Sequence, residues 1–175
     1  MPAQTIRTIA GIMLLLNVVI SEPQPCSPWV FDEETEKYYR KFCNPLTVSD
    51  AEEACKEVGG NLVTICTEDE NNFVASLART HRGSRNELLP TWIGLYRDPQ
   101  NRYEYLWTNG AKCDYRRWRW DPDFYANEED PEYSSQNRVF MYSNGRAQDN
   151  TWSIAAPDKQ LHYICEKEKS SDQTS

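Results

Sequence analysis

Two stretches in the first half of the chain place apolar side chains three or four positions apart, the spacing of one helix face. The first stretch, residues 48–58, is followed by Gly59 and Gly60, which favour the end of a helix. The second stretch has its apolar positions at residues 73–78, and the helix that it predicts ends by Gly83. The apolar positions are Val48, Ala51, Ala54, Cys55, Val58, Phe73, Val74, Leu77 and Ala78. The pattern predicts two amphipathic helices, each with one face toward the core.

Each predicted helix begins at a capping box, in which a serine or threonine precedes an acidic residue by three positions. Ser49 and Glu52 form this pattern in the first helix, and Thr67 and Glu70 repeat it in the second. We therefore expect the side chains of Ser49 and Thr67 to cap the two helices.

Shorter apolar runs separated by turn residues predict the strands. Cys26 to Cys43 has the form of a hairpin, with an acidic turn between aromatic segments. The further runs occupy residues 62–65, 91–96, 103–107, 138–142 and 161–166. Residues 114–136, in contrast, have no clean period and are rich in Asp, Glu, Trp, Tyr and Pro. They predict one long loop, and loops of this length are usually functional or disordered.

The N-terminus has the composition of a secretory signal peptide. Arg7 is its only charge, and the apolar run from Ile9 to Ile20 is broken only by Asn17. This run is shorter than the roughly 20 residues that a helix needs to cross a bilayer. A buried core helix is the less favoured alternative, because the run has no amphipathic period. We predict a signal peptide at 1–21, one domain at 22–168 and a polar tail at 169–175.

Composition narrows the class of protein. The chain has 27 acidic and 19 basic residues and a net charge of −8, and an acidic chain repels the phosphates of nucleic acid. Its six cysteines all follow the predicted signal, which indicates an oxidising compartment and up to three disulfides. His81 and His162 lack the neighbours of a zinc site, and His162 is expected at a sheet edge. The sequence predicts a secreted protein that is not an enzyme, with neither nucleic-acid partners nor a membrane span.

Four short segments occur in the order of a known family. They are Trp92-Ile93-Gly94-Leu95, Trp107-Thr108-Asn109-Gly110, Tyr115 to Trp118, and Tyr163-Ile164-Cys165-Glu166. Together with the two helices, they resemble the C-type lectin-like domain from about Cys26 to Glu168. The resemblance implies an α+β fold with two helices, small antiparallel sheets and a long loop, stapled by disulfides. It also implies that Trp92, Trp107 and Trp118 are core residues. Another small disulfide-rich α+β domain is the alternative.

The resemblance implies two of the disulfides. The pairs are Cys55–Cys165, the bridge that the family shares, and Cys26–Cys43, the extra N-terminal bridge of its longer members. The family's second bridge has no counterpart, because its two positions hold Arg138 and Pro157. Cys66 and Cys113 are left over, and the sequence leaves open whether they pair.

In sugar-binding members of this family, calcium and sugar share carboxylate and amide ligands. The resemblance places the family's later glutamate at Gln136 and its asparagine–aspartate pair at Ser153 and Ile154. A gapped alignment places the aspartate at Asp149 instead, and the long loop carries further carboxylates. The candidate metal ligands are Asp121, Asp123, Gln136 and Asp149. We favour a solvated acidic loop over a tight site and expect no cofactor, or a weakly bound calcium ion.

Aromatic side chains in the same loop offer a way to bind a ligand without calcium. Trp120, Tyr125 and Tyr133 can stack on sugar faces or anchor a protein partner, since aromatic rings are favoured at binding hot spots. Packing of Trp120 beneath its own loop is an equally weighted alternative. The candidate ligand-binding residues are Trp120, Asp121, Asp123, Tyr125, Tyr133 and Gln136.

The resemblance therefore implies a secreted protein that acts by binding. The first hypothesis is a lectin that recognises glycans with a degraded or altered calcium site. The second is a calcium-independent module that binds a protein ligand on the same scaffold and binds no sugar. Residues 121–154 decide between the two, because a fold alone does not specify its ligand. The sequence does not indicate the oligomeric state.

Overall fold

The computed structural model describes residues 25–80, 89–119, 135–143 and 150–169. The predicted signal peptide and all of the predicted tail except Lys169 lie outside this part of the chain. The helices are α1 (Val48–Glu57) and α2 (Glu68–Thr80). The strands are β1 (Val30–Asp32), β2 (Lys37–Leu46), β3 (Asn61–Leu62), β4 (Thr91–Arg97), β5 (Tyr105–Trp107), β6 (Arg138–Met141), β7 (Trp152–Ala155) and β8 (Leu161–Glu168). No helix in the described ranges is long and apolar enough to cross a membrane.

The described strands join in one mixed sheet of eight strands. Its main path runs β1-β2-β8-β4-β6-β7, while β3 pairs with β8 and β5 pairs with β4. Neighbouring strands are antiparallel except β4 and β8, which run parallel. The α+β class is confirmed. The parallel pair connects β1, β2 and β8, which come from the two ends of the chain, to β4 and its antiparallel partners from the middle of the chain.

Two apolar clusters fill the interior, one beneath each helix. The cluster beneath α2 includes Trp107, which is 2% exposed, and the cluster beneath α1 includes Trp92, which is fully buried. The indole Nε1 of Trp92 donates to the Leu46 carbonyl at 3.0 Å, so its one polar atom is satisfied. Trp118 is half-buried at the margin of the first cluster. The expected core positions of Trp92 and Trp107 are confirmed, whereas Trp118 lies where core and surface meet.

The first helix is capped by Thr47, so the expectation that Ser49 caps it is wrong. The Oγ1 of Thr47 accepts from the Asp50 N–H at 3.3 Å and donates to the Asp50 carboxylate at 2.7 Å. Thr47 has the extended backbone of a cap, whereas Ser49 already lies in the first helical turn. Glu52 is therefore free for another role, and its Oε2 accepts from the Leu62 N–H at 3.2 Å.

The second helix begins at the expected cap, since Thr67 Oγ1 accepts from the Glu70 N–H at 3.1 Å. The Glu70 carboxylate accepts from the Cys66 N–H at 2.7 Å, one position before the donor of an ideal capping box. Its other oxygen accepts from the Tyr39 hydroxyl at 2.7 Å. The cap thus also anchors α2 to β2.

The sequence pattern misses one strand and overextends another. β7 has only four residues, too few for a clear alternation of polar and apolar positions, so the sequence pattern does not predict its pairing with β6. The predicted strand at 62–65 is reduced to the two residues of β3. Its continuation still bonds to the sheet, because the Val63 N–H donates to Ile164 and the Val63 carbonyl accepts from Gly94.

Three disulfides tie segments that are distant in sequence. The Cα–Cα distances are 5.6 Å for Cys26–Cys43, 5.3 Å for Cys55–Cys165 and 5.4 Å for Cys66–Cys113. Both bridges that the resemblance implies are present, and the two leftover cysteines pair with each other. The bridge between α1 and β8 spans 110 positions, the longest of the three.

A buried polar network lies where β2, α2 and β8 meet. Glu166, 4% exposed, accepts from Lys37 Nζ at 3.4 Å and from Asn109 Nδ2 at 3.1 Å. Lys37 Nζ also lies 3.7 Å from the carboxylate of Glu70, which is 3% exposed. The single charge of the Lys37 ammonium thus lies beside two buried carboxylates and can balance only one of them, so ionising both is costly.

The expected edge position of His162 is wrong. β8 lies between β2 and β4, and His162 is fully buried opposite Thr91. A strand's place within a sheet is a tertiary property that its own residues do not encode. Burial and the nearby charge of Lys41 lower the pKa of His162 to about 4. Burial raises the pKa of Glu166 to about 7, although the charge of Lys37 opposes this shift.

The lengths of the disulfide loops predict different effects of their removal. The chain-entropy relation gives about 5 kcal/mol for a loop of 110 residues and about 3 kcal/mol for one of 17. We expect the paired variant Cys55→Ser/Cys165→Ser to lower the melting temperature more than Cys26→Ser/Cys43→Ser, by roughly 5–10 °C. Calorimetry on the oxidised proteins measures the difference, and an equal or reversed order would contradict this account.

The opposite pKa shifts of Glu166 and His162 predict compensating effects of pH on stability. Glu166 retains a proton in the folded state, so its contribution is lost as pH rises from 4.5 to about 7. His162 excludes a proton in the folded state, so its contribution is lost as pH falls from 6.5 to about 4. Where the two pH windows overlap, Glu166 makes the free energy of unfolding fall as pH rises, and His162 makes it rise. Each of these opposing slopes is at most about 1.4 kcal/mol per pH unit.

Replacing either Glu166 or His162 should leave the pH dependence of stability that the other residue causes. In Glu166→Gln, the free energy of unfolding should rise with pH across the overlap, and in His162→Gln it should fall. Urea unfolding at several pH values in that window measures both slopes. Parallel profiles for Glu166→Gln and the unsubstituted protein would show that Glu166 does not titrate as its burial implies.

Candidate functional site

The long loop leaves the sheet beside Trp152, which organises the base of the loop. The Nε1 of fully buried Trp152 donates to Asn71 Oδ1 at 2.8 Å, so the indole is fixed to α2. Trp107, Tyr115 and Trp118 meet its ring edge-on, with centroid distances of 5.9, 5.7 and 6.0 Å. Trp118 also lies beside Trp152 in a short parallel bridge. The first residues of the loop are therefore held by aromatic packing.

Asn150 fastens the return of the chain to the same helix. Its Oδ1 accepts from Arg79 Nη2 at 2.6 Å, and its carbonyl accepts from Asn71 Nδ2 at 2.9 Å. Its own Nδ2 donates to Asn72 Oδ1. Trp152 and Asn150 are thus both bonded to α2, and Trp118 packs on the first of them.

Most of the sequence-predicted site lies outside the described residues. These residues are Trp120, Asp121, Asp123, Tyr125, Tyr133 and Asp149. Gln136 is described, and it is half-buried immediately before β6. The adjoining carbonyl of Asn137 accepts from the Arg97 N–H at 3.0 Å, which fixes the backbone at this point. The structure therefore places one of the six candidate ligand-binding residues.

Two described residues at the family's calcium positions, Ile154 and Ser153, offer few ligands to a calcium ion. Ile154 pairs with Val139 across β6 and β7 and packs against the core cluster beneath α2. It has no side-chain oxygen, and calcium takes six to eight oxygen ligands. Ser153, opposite Phe140, supplies one hydroxyl at most. Within the described ranges, no three His, Cys, Asp or Glu side chains are grouped so that they could hold a metal.

A cleft of about 470 Å³ opens beside β5 and the start of the long loop. We call it the Trp118 cleft and define it by Tyr103, Glu104, Tyr105, Asp114, Arg116 and Trp118. The rings of Tyr105 and Trp118 are 4.8 Å apart at an angle of 58°. Tyr103 is 53% exposed, which is unusual for a large aromatic side chain in this protein. The cleft thus presents aromatic surface to the solvent.

Arg116 acts as a fixed wall of this cleft. Its Nη1 donates to the Cys113 and Tyr115 carbonyls at 3.1 and 2.8 Å, and its Nη2 donates to the Tyr105 carbonyl at 2.9 Å. Burial lowers the pKa of Arg116, although the charge of Asp114 opposes this shift. These guanidinium donors are already used by the backbone. Arg116 therefore ties the segment after Cys113 to β5.

The carboxylates of Glu104 and Asp114 are the open polar groups of the cleft. Both residues are exposed, and neither carboxylate accepts a hydrogen bond from another described side chain. Carboxylates accept hydrogen bonds from hydroxyl groups, and aromatic faces pack against apolar C–H groups. Together, these features suit a ligand with many hydroxyl groups and an apolar face.

The sequence does not predict this cleft. Its pattern predicts Tyr103 in a strand, whereas the strand begins at Tyr105 and Tyr103 lies in the preceding turn. The alternation of Tyr103, Glu104 and Tyr105 was a usable signal, because it places a carboxylate between two aromatic side chains. Asp114, which lines the same cleft, directly follows Cys113, and the sequence leaves open whether Cys113 pairs with Cys66.

Comparison with known proteins agrees with this architecture. The lectin C-type domain matches residues 44–167. Human regenerating islet-derived protein 4 is 29% identical over 154 residues, covering 86% of this chain and 85% of that protein.

Two solved structures share the fold. The carbohydrate-recognition domain of cow CD23, determined in the presence of a GlcNAc2Man3 oligosaccharide, aligns with a TM-score of 0.61 and 21% identity, covering 84% of this chain and 99% of that one. A calcium-independent type II antifreeze protein aligns with a TM-score of 0.60 and 20% identity, covering 83% and 96%. At these identities the likeness shows the fold alone.

The apolar packing of Ile154 predicts that calcium stabilises the protein little. An ion that bound only the folded state would add about 2.7 kcal/mol at a hundredfold excess over its Kd. We expect almost no change in melting temperature between millimolar calcium and excess chelator. A rise of several degrees would contradict this, and Asp121→Asn, Asp123→Asn and Asp149→Asn would then identify the ligands.

Proposed function

This chain belongs to the C-type lectin domain family, and we propose that it is a secreted protein that recognises glycans through a surface with a degraded calcium site. Members of this family are lectin-like binding proteins and not enzymes, which supports a binding function for this chain. The proposed organisation is a signal peptide at 1–21, the binding domain at 22–168 and a polar tail at 169–175. Three disulfides and the apolar N-terminal run favour export.

The observation that carries this proposal is the Trp118 cleft. Glu104 and Asp114 offer open acceptors beside the paired rings of Tyr105 and Trp118. A sugar ring presents hydroxyl groups on its rim and C–H groups on its face, so one such unit can use both kinds of contact. The Tyr105 hydroxyl accepts from Arg97 Nη2 at 2.8 Å, so this ring is already held in place before a ligand arrives. Preorganised contacts bind more tightly, since less ordering is needed.

The residues at two of the family positions support the proposed calcium independence. Ile154 and Ser153 supply at most one oxygen, so we propose that side chains of the protein hold the ligand directly. Trp120, Asp121, Asp123, Tyr125, Tyr133 and Gln136 remain proposed contacts from the long loop. If the loop also binds an ion, Asp121, Asp123, Gln136 and Asp149 are its proposed ligands.

A protein ligand is the second candidate, and Tyr103 favours it. This side chain is 53% exposed, and Arg102 lies over its ring at 5.2 Å and donates to its hydroxyl at 3.1 Å. Tyrosine and arginine are enriched at the energetic centres of protein interfaces. An exposed pair of this kind also suits a calcium-independent module that binds no sugar.

The glycan proposal predicts that glycan binding needs the Trp118 cleft but does not need calcium. We expect the same glycans to bind on an array with chelator and on an array with calcium. Asp114→Asn should weaken the best glycan by at least about tenfold in calorimetry, because hydrogen bonds to a charged group contribute about 1.5–3 kcal/mol. Tyr103→Ala should weaken it by about 2- to 10-fold, the range of a modest aromatic contact.

Asp158→Asn is the matched control, because Asp158 is exposed and lies outside the cleft. It should bind like the unsubstituted protein. Glycan binding that Asp114→Asn and Tyr103→Ala leave intact would exclude the Trp118 cleft. An array without any bound glycan would reject the first function and favour the protein-ligand alternative.

A further inference from the structure

The face of the sheet that packs on α1 also carries aromatic rings and cations near β1. The register places Phe31 of β1, Tyr38 of β2 and Lys167 of β8 side by side on this face. The opposite face turns toward α2, since Val30 packs on the core cluster there. We call this surface the β1 platform and define it by Trp29, Phe31, Tyr38, Arg40, Lys167 and Lys169.

Three cations lie over the rings of the platform. Lys167 Nζ is 4.3 Å from the centroid of the Trp29 ring, and Lys169 Nζ is 5.3 Å from that of the Phe31 ring. The Arg40 guanidinium lies 5.6 Å from the Trp29 centroid. Since β2 lies between β1 and β8, both lysine side chains reach across one strand toward the edge of the sheet.

These cations have no carboxylate partner within the described ranges. The ion pairs found there involve Lys37 and Arg117, and neither belongs to the platform. The chain as a whole has a net charge of −8, so this cluster of positive charge contrasts with the rest of the protein. Like charges that are held together repel one another, and an anion placed among them relieves the repulsion. The platform therefore favours a negatively charged ligand.

The backbone of β1 offers a second kind of contact. β1 ends the main path of the sheet, and among the described strands it pairs only with β2. An edge strand presents a row of backbone N–H and C=O groups to a strand of another chain. A peptide that adds to such an edge gains affinity from these groups and specificity from side chains at alternate positions.

The spacing of the two lysines matches an extended peptide. Trp29 and Phe31 are two positions apart, which is about 7 Å along a strand. The ammonium groups of Lys167 and Lys169 lie over these two rings, so they repeat at a similar distance. Alternate side chains of an added strand share one face and are also about 7 Å apart. Carboxylates at alternate positions can therefore each approach one lysine.

We propose that the free edge of β1 binds an extended acidic segment of a partner protein. The segment adds to the sheet beside β1 and places carboxylates at alternate positions near Lys167 and Lys169. The rings of Trp29 and Phe31 are half-buried, so they hold the lysine side chains in place before the segment arrives. This inference goes beyond the glycan proposal, because no residue of the platform lines the Trp118 cleft.

An acidic peptide fits this surface better than other anions do. A protein that lies in a membrane interface buries exposed aromatic side chains there, whereas Trp29, Phe31 and Tyr38 are half-buried beneath cations. A sulfated polymer can use the cations but has no strand backbone to pair with β1. Only an extended peptide uses the charges and the sheet edge together.

The test is a titration of the oxidised full-length protein with short peptides, followed by nitrogen–proton NMR at low salt. The probe is acetylated and amidated Thr-Glu-Thr-Glu-Thr-Glu. We expect it to shift the amide signals of Val30, Phe31 and Asp32. Glu-Glu-Glu-Thr-Thr-Thr has the same charge without the alternation and should bind more weakly, and Thr-Gln-Thr-Gln-Thr-Gln should not bind. Equal binding of the two acidic peptides, or no shift in β1, would overturn the proposal.

Variants test the lysines separately from the fold. Lys167→Gln should weaken the probe by about 2- to 5-fold, the range of one exposed ion pair, and Lys167→Gln/Lys169→Gln should weaken it by about 4- to 25-fold. Lys112→Gln/Lys159→Gln is the matched control, because it removes two exposed lysines outside the platform and changes the net charge equally. It should bind the probe like the unsubstituted protein. Equal loss in the two double variants would show a general charge effect and contradict the assignment.

Two further probes separate an acidic peptide from other anions. A heparin fragment, or vesicles that contain phosphatidylserine, should bind more weakly than the peptide and should leave the β1 amide signals in place. Tighter binding of either probe that is lost in Lys167→Gln/Lys169→Gln would assign the platform to that anion and overturn the proposal. Self-association that the same double variant abolishes in sedimentation would assign the edge to a second copy of the chain and overturn it as well.

Discussion

The Cys55–Cys165 bridge is the constraint on which the rest of the molecule depends. Cys165 lies in β8, opposite Arg40 of β2 on one side and Leu62 of β3 on the other. α1 has 10 residues, a length at which an isolated helix is marginal. Its position is therefore set by its buried face and by the bridge to the central strand.

The segments that identify the family have structural roles. Gly94 allows β4 to approach β3 closely, because a Cβ there would lie 2.9 Å from the Leu62 carbonyl oxygen. Asn109 donates to Glu166, which joins the turn after β5 to the end of β8. None of Gly94, Asn109 and Glu166 lines the Trp118 cleft. This explains why the fold can be recognised from these segments, while the ligand must be argued from other residues.

Elements held by contacts between residues close in sequence are predictable from the sequence, whereas features that depend on distant segments are not. Both helices were predictable because their apolar spacing is local, and the same holds for the longer strands. The burial of His162 was not, since it depends on β4, a neighbouring strand that lies far away in sequence. β7 was not predictable for a different reason, because its four residues are too few to carry a clear period. The cap of α1 was not predictable either, because Thr47 with Asp50 and Ser49 with Glu52 both have the spacing of a capping pair. The extended backbone of Thr47 identifies it as the cap.

The candidate site was less predictable than the fold, for a related reason. The sequence directed attention to residues between 120 and 136, which have the expected chemistry but no local period. The Trp118 cleft instead joins Tyr103 and Glu104 to Asp114, across β5 and a bend of the chain. Only the placement of that bend brings these side chains together, and no spacing in the sequence expresses it.

The Cys66–Cys113 disulfide holds this bend in place, which bears on the proposed binding of a ligand without calcium. A bound metal orients a sugar with rigid ligands, so a site without one must obtain rigidity elsewhere. Cys113 is bridged to Cys66 beside α2, and its carbonyl accepts from Arg116. Asp114 lies between these two fixed points, and Arg116 also holds the Tyr105 carbonyl. The bridge and the arginine thus restrain the backbone that carries the carboxylate, so less ordering is needed when a ligand binds.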